Sequence, residues 1–374
     1  MWLYRLWACL LLAMFASPAV AASVEEMAGQ MIMVGFRGTG EAPLHRDIVV
    51  LQRDIAAGRV GGVILFERDA RSGERGRNVR SVEQVRRLTA MLQAKARIPL
   101  FVGVDQEGGK VRRFLPAHGV AAVPAPEEMG GGSPAATRAY AAALGAKLRE
   151  SGVNLDFAPS LDVNVNPQSP AIGALGRSFG PDAATVVAHA GAFAQGLQEQ
   201  GVLFCWKHFP GHGSAAVDSH HDLPDISATW SRAELEPYAK LLRPGMPGMV
   251  MVGHLYHSGL DAKHPSGLSP EIINGLLRRE LGWDGVVITD DLHMGAVAAR
   301  YSLKETVALA VDAGVDILLF GNNQRRVPYV SARQVHAVLV QLVREGRIDR
   351  ARLEESYTRI LRLKGRLAAA ENQR

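Results

Sequence analysis

The sequence is poor in cysteine, in long apolar runs and in charge of one sign, and each shortage narrows what the chain can be. Of 374 residues only two are cysteine, Cys9 and Cys205. Cys9 sits inside the opening stretch MWLYRLWACLLLAMFASPAVA, which has one positive charge at Arg5, an apolar run beginning at Leu6 and the small-residue pattern Ala19-Val20-Ala21. That is the pattern of a secretory signal peptide, residues 1–21, cut after Ala21 and addressing the chain to a bacterial periplasm or beyond the cell. The run is shorter than the ~20 residues of a spanning helix, which weighs against an uncleaved anchor, and no later segment approaches that length, so no stable membrane span is expected after cleavage. Cys9 lies within the apolar run instead of after it, which weighs against lipidation. With the leader removed Cys205 is alone, so an intrachain disulfide is excluded despite the oxidising destination. The formal charge is +5, from 42 basic and 37 acidic side chains, too mild and interspersed to argue for nucleic acid as a partner. A composition 47% hydrophobic and 21% charged excludes a disordered tail and a small stapled module.

What the chain does have is a rhythm of short apolar runs and longer amphipathic ones. Gly152 precedes a run from Val153 to Phe157, Gly201 one from Val202 to Trp206, Gly285 one from Val286 to Asp290, and Gly314 one from Val315 to Phe320, each reading as a helix end followed by a buried strand. Adding Met31 to Phe36, Gly62 to Phe66, Leu100 to Asp105 and Met249 to Leu255 predicts eight strands. Helices are predicted over Val82 to Ala96, Ala135 to Glu150, Ala183 to Gln200, Pro270 to Leu281 and Leu303 to Ala313, with Val330 to Arg344 and Ala351 to Leu367 at the end. Such alternation implies a parallel sheet with right-handed crossovers. A doubly wound open sheet would alternate in the same way, but its Gly-rich phosphate turn is missing and polar motifs follow several strands. The expectation is therefore an α/β fold, a (β/α)8 TIM-type barrel forming a single domain over 22–374.

In a barrel, polar residues just past the C-terminal ends of strands converge on one mouth. The third strand runs into Asp105-Gln106-Glu107-Gly108-Gly109-Lys110-Val111-Arg112-Arg113. A carboxylate, two glycines that let the chain turn closely and then arginines suit the hydroxyls of a polar ligand, although a solvated loop would read similarly. The fifth strand runs into Lys207-His208-Phe209-Pro210-Gly211-His212-Gly213, followed by Asp218-Ser219-His220-His221. The seventh ends in Asp290-Asp291, adjacent carboxylates that alternation sends to opposite sides, one to the mouth and one to a structural role. A metal site is the competitor, but Pro210, Gly211 and Gly213 prevent a helix aligning His208 with His212, and the spacings match no familiar zinc pattern. A Ser-His-Asp hydrolase lacks its Gly-x-Ser-x-Gly elbow. His254, His257 and His293 follow strands six and seven and read equally as pocket lining, core or solvated side chains.

The segments DQEGGKVRR (105–113), GRSFG (176–180), KHFPGHG (207–213), DSH (218–220) and TDDLHMGA (289–296) together resemble the signature series of family 3 glycoside hydrolases, in the branch of single-barrel β-N-acetylhexosaminidases. The resemblance implies a retaining double displacement without cofactor or metal. It places the nucleophile at Asp290, with Asp291 the fallback, the acid/base at His220 and its orienting partner at Asp218. Substrate contacts fall on Asp105, Arg113, Arg177, Lys207 and His208, around the non-reducing N-acetylglucosamine of an oligosaccharide. An imidazole titrating near neutrality beside a carboxylate that fixes its tautomer suits alternate proton donation and acceptance on independent grounds. One segment departs from the branch: a longer arginine-rich loop, Arg71 to Arg80, which reads as a solvated loop or as a rim contact to an anionic wall polymer. Competing functions are a phosphorylase, a β-glucosidase and a sugar-binding barrel without activity; the covalent route itself competes with attack by the substrate's own acetamido group. Oligomeric state is not legible.

Overall fold

The computed structural model describes residues 22–219, 222–325 and 327–372; the expected leader at 1–21 lies outside them. Eight parallel strands form the expected barrel: β1 Ile32–Gly35, β2 Gly62–Ile64, β3 Phe101–Val104, β4 Leu155–Asp156, β5 Leu203–Phe209, β6 Gly248–Val252, β7 Val286–Thr289 and β8 Leu318–Phe320. Neighbours in sequence are neighbours in the sheet, and β8 pairs with β1. The ring closes between β7 and β8 through a parallel bridge at Ile288 and Ile317, supported by Thr289 N–H to the Ile317 carbonyl at 3.1 Å.

The strands read as uninterrupted apolar runs because both their faces are buried, one against the barrel interior and one against helices. At Gly103 a Cβ would stand 2.7 Å from both the Met33 and the Phe157 side chains, so the packing there leaves no room for one. Outside, helices begin where side-chain caps end the extended backbone. Ser81 caps Val82–Gln93, Ser133 with Pro134 opens Pro134–Glu150, Asp182 caps Ala183–Glu199, and Ser302 forms a capping box with Glu305 on Leu303–Ala313. The stretch expected as a helix at 270–281 is helical over Glu271–Glu280 but winds with the wider i→i+5 pitch. Its Arg278 donates to Asp316 Oδ2 at 2.8 Å, a buried carboxylate that also receives Arg352, Arg359 and Ser356 and so fixes the last helix, Arg350–Asn372, to the barrel base; the helix before it is Ala332–Arg344.

The fourth strand is shorter than its apolar run: the chain leaves the ladder after Asp156 and rejoins it only at a Ser160–Lys207 bridge. No helix among the described residues is long and apolar enough to cross a membrane.

Candidate active site

At the C-terminal ends of the strands lies a cavity of about 600 Å³, within the range of small-molecule sites. Asp105, Arg113, Arg177, Lys207, His208 and Asp290, from four separate motifs, all line it, as do Asp291, His212 and Ser219. Asp105 leaves the end of β3. The two glycines after Glu107 adopt left-handed backbone, with φ of 105° at Gly108 and 53° at Gly109. A Cβ on Gly108 would lie 2.2 Å from the Pro124 carbonyl oxygen, so only glycine allows this reversal, which brings Arg113 back over the pocket. Consecutive strand residues should face opposite sides, yet Lys207 and His208 both line the cavity. The β5–β6 register breaks between Trp206 and Phe209, and the alternation breaks with it.

These groups hold one another in two linked networks. In the first, Lys207 Nζ lies 3.0 Å from Asp105 Oδ1 and 2.6 Å from Glu107 Oε1, Arg113 Nη2 donates to Asp105 Oδ2 at 2.9 Å, and Arg177 grips Glu107 with two bonds, Nε at 2.9 Å and Nη2 at 2.6 Å. Burial disfavours the charge on Glu107, but Arg177 and Lys207 outweigh it and hold the carboxyl down at about 2. Burial likewise opposes Asp105, and Lys207 and Arg113 hold it well below the usual carboxylate range. In the second network the buried Asp162 carboxylate lies 2.7 Å from His208 Nδ1 and accepts the backbone N–H of His208 at 3.2 Å and of His212 at 2.8 Å. The other ring nitrogen of His208 is 3.3 Å from Arg177 Nη2, which joins the two networks. His212, pushed down to about 4 by burial and by the neighbouring His208, places Nε2 3.3 Å from Ser219 Oγ.

Of the adjacent aspartates, Asp291 accepts the N–H groups of His293 at 3.0 Å and Gly321 at 2.8 Å and so pins the β8 end. Asp290 Oδ1 accepts the Asp291 N–H at 2.7 Å, and both side chains reach the cavity. Asp218 is half-buried on the loop after β5, and its neighbour Ser219 accepts the Ala296 N–H at 3.4 Å, tying that loop to the segment after β7. His220, the expected acid/base, lies outside the described residues. Two residues that the sequence reading passed over carry the pocket floor: Glu107, inside a motif already singled out, and Asp162. His254 and His293 are buried and His257 packs edge-on to Trp230; none of the three lines the cavity. The arginine-rich stretch is not simply solvated, since Arg77 is buried and donates to Asp69, Phe36 and Asn322.

Residues 23–363 match the glycosyl hydrolase family 3 N-terminal domain. Among curated relatives, Beta-hexosaminidase A of Pseudoalteromonas piscicida is 31% identical over 93% of this chain and 62% of its own length, and Beta-hexosaminidase LpqI of Mycobacterium tuberculosis is 38% identical over 72% and 69%. The chain thus spans under two thirds of the first of these. Among solved structures, a family 3 β-N-acetylglucosaminidase from a Paenibacillus species superposes with a TM-score of 0.82 at 37% identity, covering 93% of this chain and 63% of that one. A β-N-acetylhexosaminidase from Beutenbergia cavernae gives 0.81 at 31% identity, covering 92% and 99%.

Proposed function

Since the chain belongs to glycosyl hydrolase family 3, we propose that it is a retaining β-N-acetylhexosaminidase that releases terminal N-acetylglucosamine from β-linked oligosaccharides, peptidoglycan fragments among them. The observation that carries this reading is the pocket floor. Asp105, Arg113, Lys207, Arg177 and His208 are fixed by ion pairs and hydrogen bonds, with Glu107 and Asp162 behind them, around a cavity that Asp290 also lines, so their remaining donors and acceptors are aimed before any ligand arrives. A neutral sugar with several hydroxyls satisfies such a set without leaving a buried charge unpaired. We further propose that residues 1–21 are a leader and that the remainder acts as one barrel, exported to the periplasm or beyond.

In the mechanism that follows, Asp290 attacks the anomeric carbon while His220 gives a proton to the leaving oxygen. A glycosyl ester forms on Asp290 as the aglycone departs with that proton. His220, now neutral, takes a proton from water, which attacks the same carbon and frees the sugar with retained configuration. Asp218 steadies the imidazolium in the first half. A slow fluorosugar substrate tests the covalent step: a mass increase on the peptide containing Asp290 is expected, and its absence while turnover continues would point to acetamido participation. Product analysis with phosphate present separates hydrolysis from phosphorolysis, N-acetylglucosamine being expected and its 1-phosphate refuting the hydrolase reading.

A further inference from the structure

The turn that follows β5 is held by two carboxylates from different parts of the chain. Pro210 to Ala215 are all buried, so the N–H groups of this turn need partners inside the protein. The His212 N–H donates to Asp162 at 2.8 Å, and the Gly213 N–H, one residue on, donates to Glu234 Oε2 at 3.0 Å. Glu234 lies on a short 3-10 turn, Arg232–Leu235, that leads into the helix Glu236–Leu241. This segment is itself fixed to the strand: buried Tyr238 packs edge-on to Phe209 at 5.1 Å, and Trp230 Nε1 donates to the Pro210 carbonyl at 3.1 Å. The approach is close enough that a Cβ on Gly211 would stand 2.7 Å from Glu234 Cβ.

Glu234 is fully buried, does not line the cavity and, among the described residues, pairs with no cation. Burial, joined by the like charge of Asp162, pushes its carboxyl up to about 7. An apolar side chain would fill such a place at lower cost, unless the acceptor is needed where it stands. What it holds is the root of a loop. Past the turn the chain surfaces at Ala216 and Val217 and returns through half-buried Asp218 to buried Ser219, whose Oγ lies 3.3 Å from His212 Nε2. His212 therefore belongs to both ends of the loop, its backbone in the clamp and its ring against the neighbour of Asp218.

Resting on the glycosidase reading above, we propose that Glu234 is a positioning residue for proton transfer: from behind the pocket it fixes the turn at His212 and Gly213, and so sets the place of Asp218 and of the acid that follows on the same loop. The floor is held separately, by the pairs among Asp105, Glu107, Arg177 and Lys207, and Asp290 stands at the end of β7. Losing the clamp therefore disturbs the proton donor while leaving the nucleophile and the sugar-binding groups in place.

Two β-glycosides of N-acetylglucosamine separate the proton step from the rest: the 2,4-dinitrophenyl group leaves without a proton, and the methoxy group of the methyl glycoside needs one. Glu234→Leu should lower kcat/KM for the methyl glycoside by roughly 10- to 100-fold, the loss expected when a proton donor shifts by up to about 1 Å, and for the dinitrophenyl glycoside by less than about twofold. Glu234→Gln keeps an acceptor for the Gly213 N–H and should stay within about threefold of wild type on both. Equal losses on the two substrates, no loss on either, or a glutamine variant as selective as the leucine one would overturn the proposal. Should Glu234→Leu not fold, Glu234→Asp withdraws the carboxylate by one methylene; a selective loss is again expected, and wild-type rates on both substrates would overturn it. Should wild-type enzyme cleave neither compound, or His220→Ala lose both equally, the glycosidase reading or its choice of acid fails instead. Hydrogen exchange then reads the clamp on its own: peptides spanning 211–219 should exchange about tenfold faster in Glu234→Leu and at the wild-type rate in Glu234→Gln, and unchanged protection in the leucine variant would refute it.

Discussion

Replacing Glu107 by glutamine would keep the shape of the pocket floor while removing the charge that Arg177 and Lys207 share. Glu107 is 1% exposed in its side chain and accepts three charged bonds, at 2.9 and 2.6 Å from Arg177 and 2.6 Å from Lys207. The amide keeps one acceptor but turns an NH₂ group toward a cation. Removing one partner of a buried pair costs roughly 3–5 kcal/mol, because the remaining charge is left uncompensated. The electrostatics of the site point to a similar figure: against burial, the two cations bring the carboxyl from 4.5 to about 2, which at about 1.4 kcal/mol per unit is roughly 3 kcal/mol. Asp105 still neutralises part of the Lys207 charge, so the lower end of the range applies.

With an unfolding entropy of ~2.1 cal/mol/K per residue, about 350 residues lose roughly 0.7 kcal/mol per degree, so Glu107→Gln should lower Tm by about 4 °C near neutral pH. The effect has a pH signature. A carboxyl depressed in the folded state contributes stability that is present above its unfolded value of 4.5 and lost as pH falls through about 2. The gap between wild type and variant should therefore close as acid is added below pH 4.5, as followed by circular dichroism melts across that range. Coincident melts at neutral pH, or a gap that stays constant into acid, would refute the assignment of this carboxylate as the ionised centre of the floor.

Two further outcomes follow from other parts of the molecule. His220→Ala should impair hydrolysis most for substrates with poor leaving groups and least for activated aryl glycosides; equal losses would count against its role as the acid. Lys364, buried at the barrel base between Gln30 Oε1 at 2.7 Å and the Gly61 carbonyl at 2.8 Å, is lowered by burial from 10.5 to about 7. Between those values the unfolded chain binds the extra proton, so wild-type stability should rise with pH through this window relative to Lys364→Met. Denaturant midpoints that climb equally in both proteins would falsify that buried state.

The strands were legible because parallel barrel strands are buried on two faces and follow glycines that end helices, a pattern that needs no tertiary knowledge. The helix Arg46–Ala56 was not, since its buried stripe of Ile48, Leu51 and Ile55 includes Asp54, whose charge is met just past the helix by Arg59 at 3.2 Å and from afar by Arg333 at 3.5 Å. Glu236–Leu241 is too short to show a period. In the site, strand-end logic and motif resemblance brought forward Asp105, Arg113, Arg177, Lys207, His208 and Asp290, which line one cavity, while Asp218 is not among its lining and His220 lies outside the described residues. The residues behind them were missed because their partners are remote in sequence: Asp162 meets His208 across 46 positions and Glu107 meets Arg177 across 70. A signal existed for Asp162. It lies between Leu161 and Val163 in an apolar run, and a carboxylate placed there must find partners or leave a buried charge unmatched.

The distribution of paired and unpaired charge divides the cavity by task. At the floor every cation named has a carboxylate within 3.0 Å, so its direction is fixed and its residual field is small. On the proposed reading, such groups would orient hydroxyls of a neutral ring and lose little to reorganisation as charge develops at the anomeric carbon. Toward solvent, Arg68 and Lys110 line the same cavity, are exposed and make no ion pair among the described residues, so salt weakens their field. A mutation at the floor should therefore lower Tm, as Glu107→Gln is expected to. Arg68→Gln or Lys110→Gln should leave Tm unchanged, and a loss of Tm as large as that of a floor substitution would show that the two sets of charges are not separable in this way.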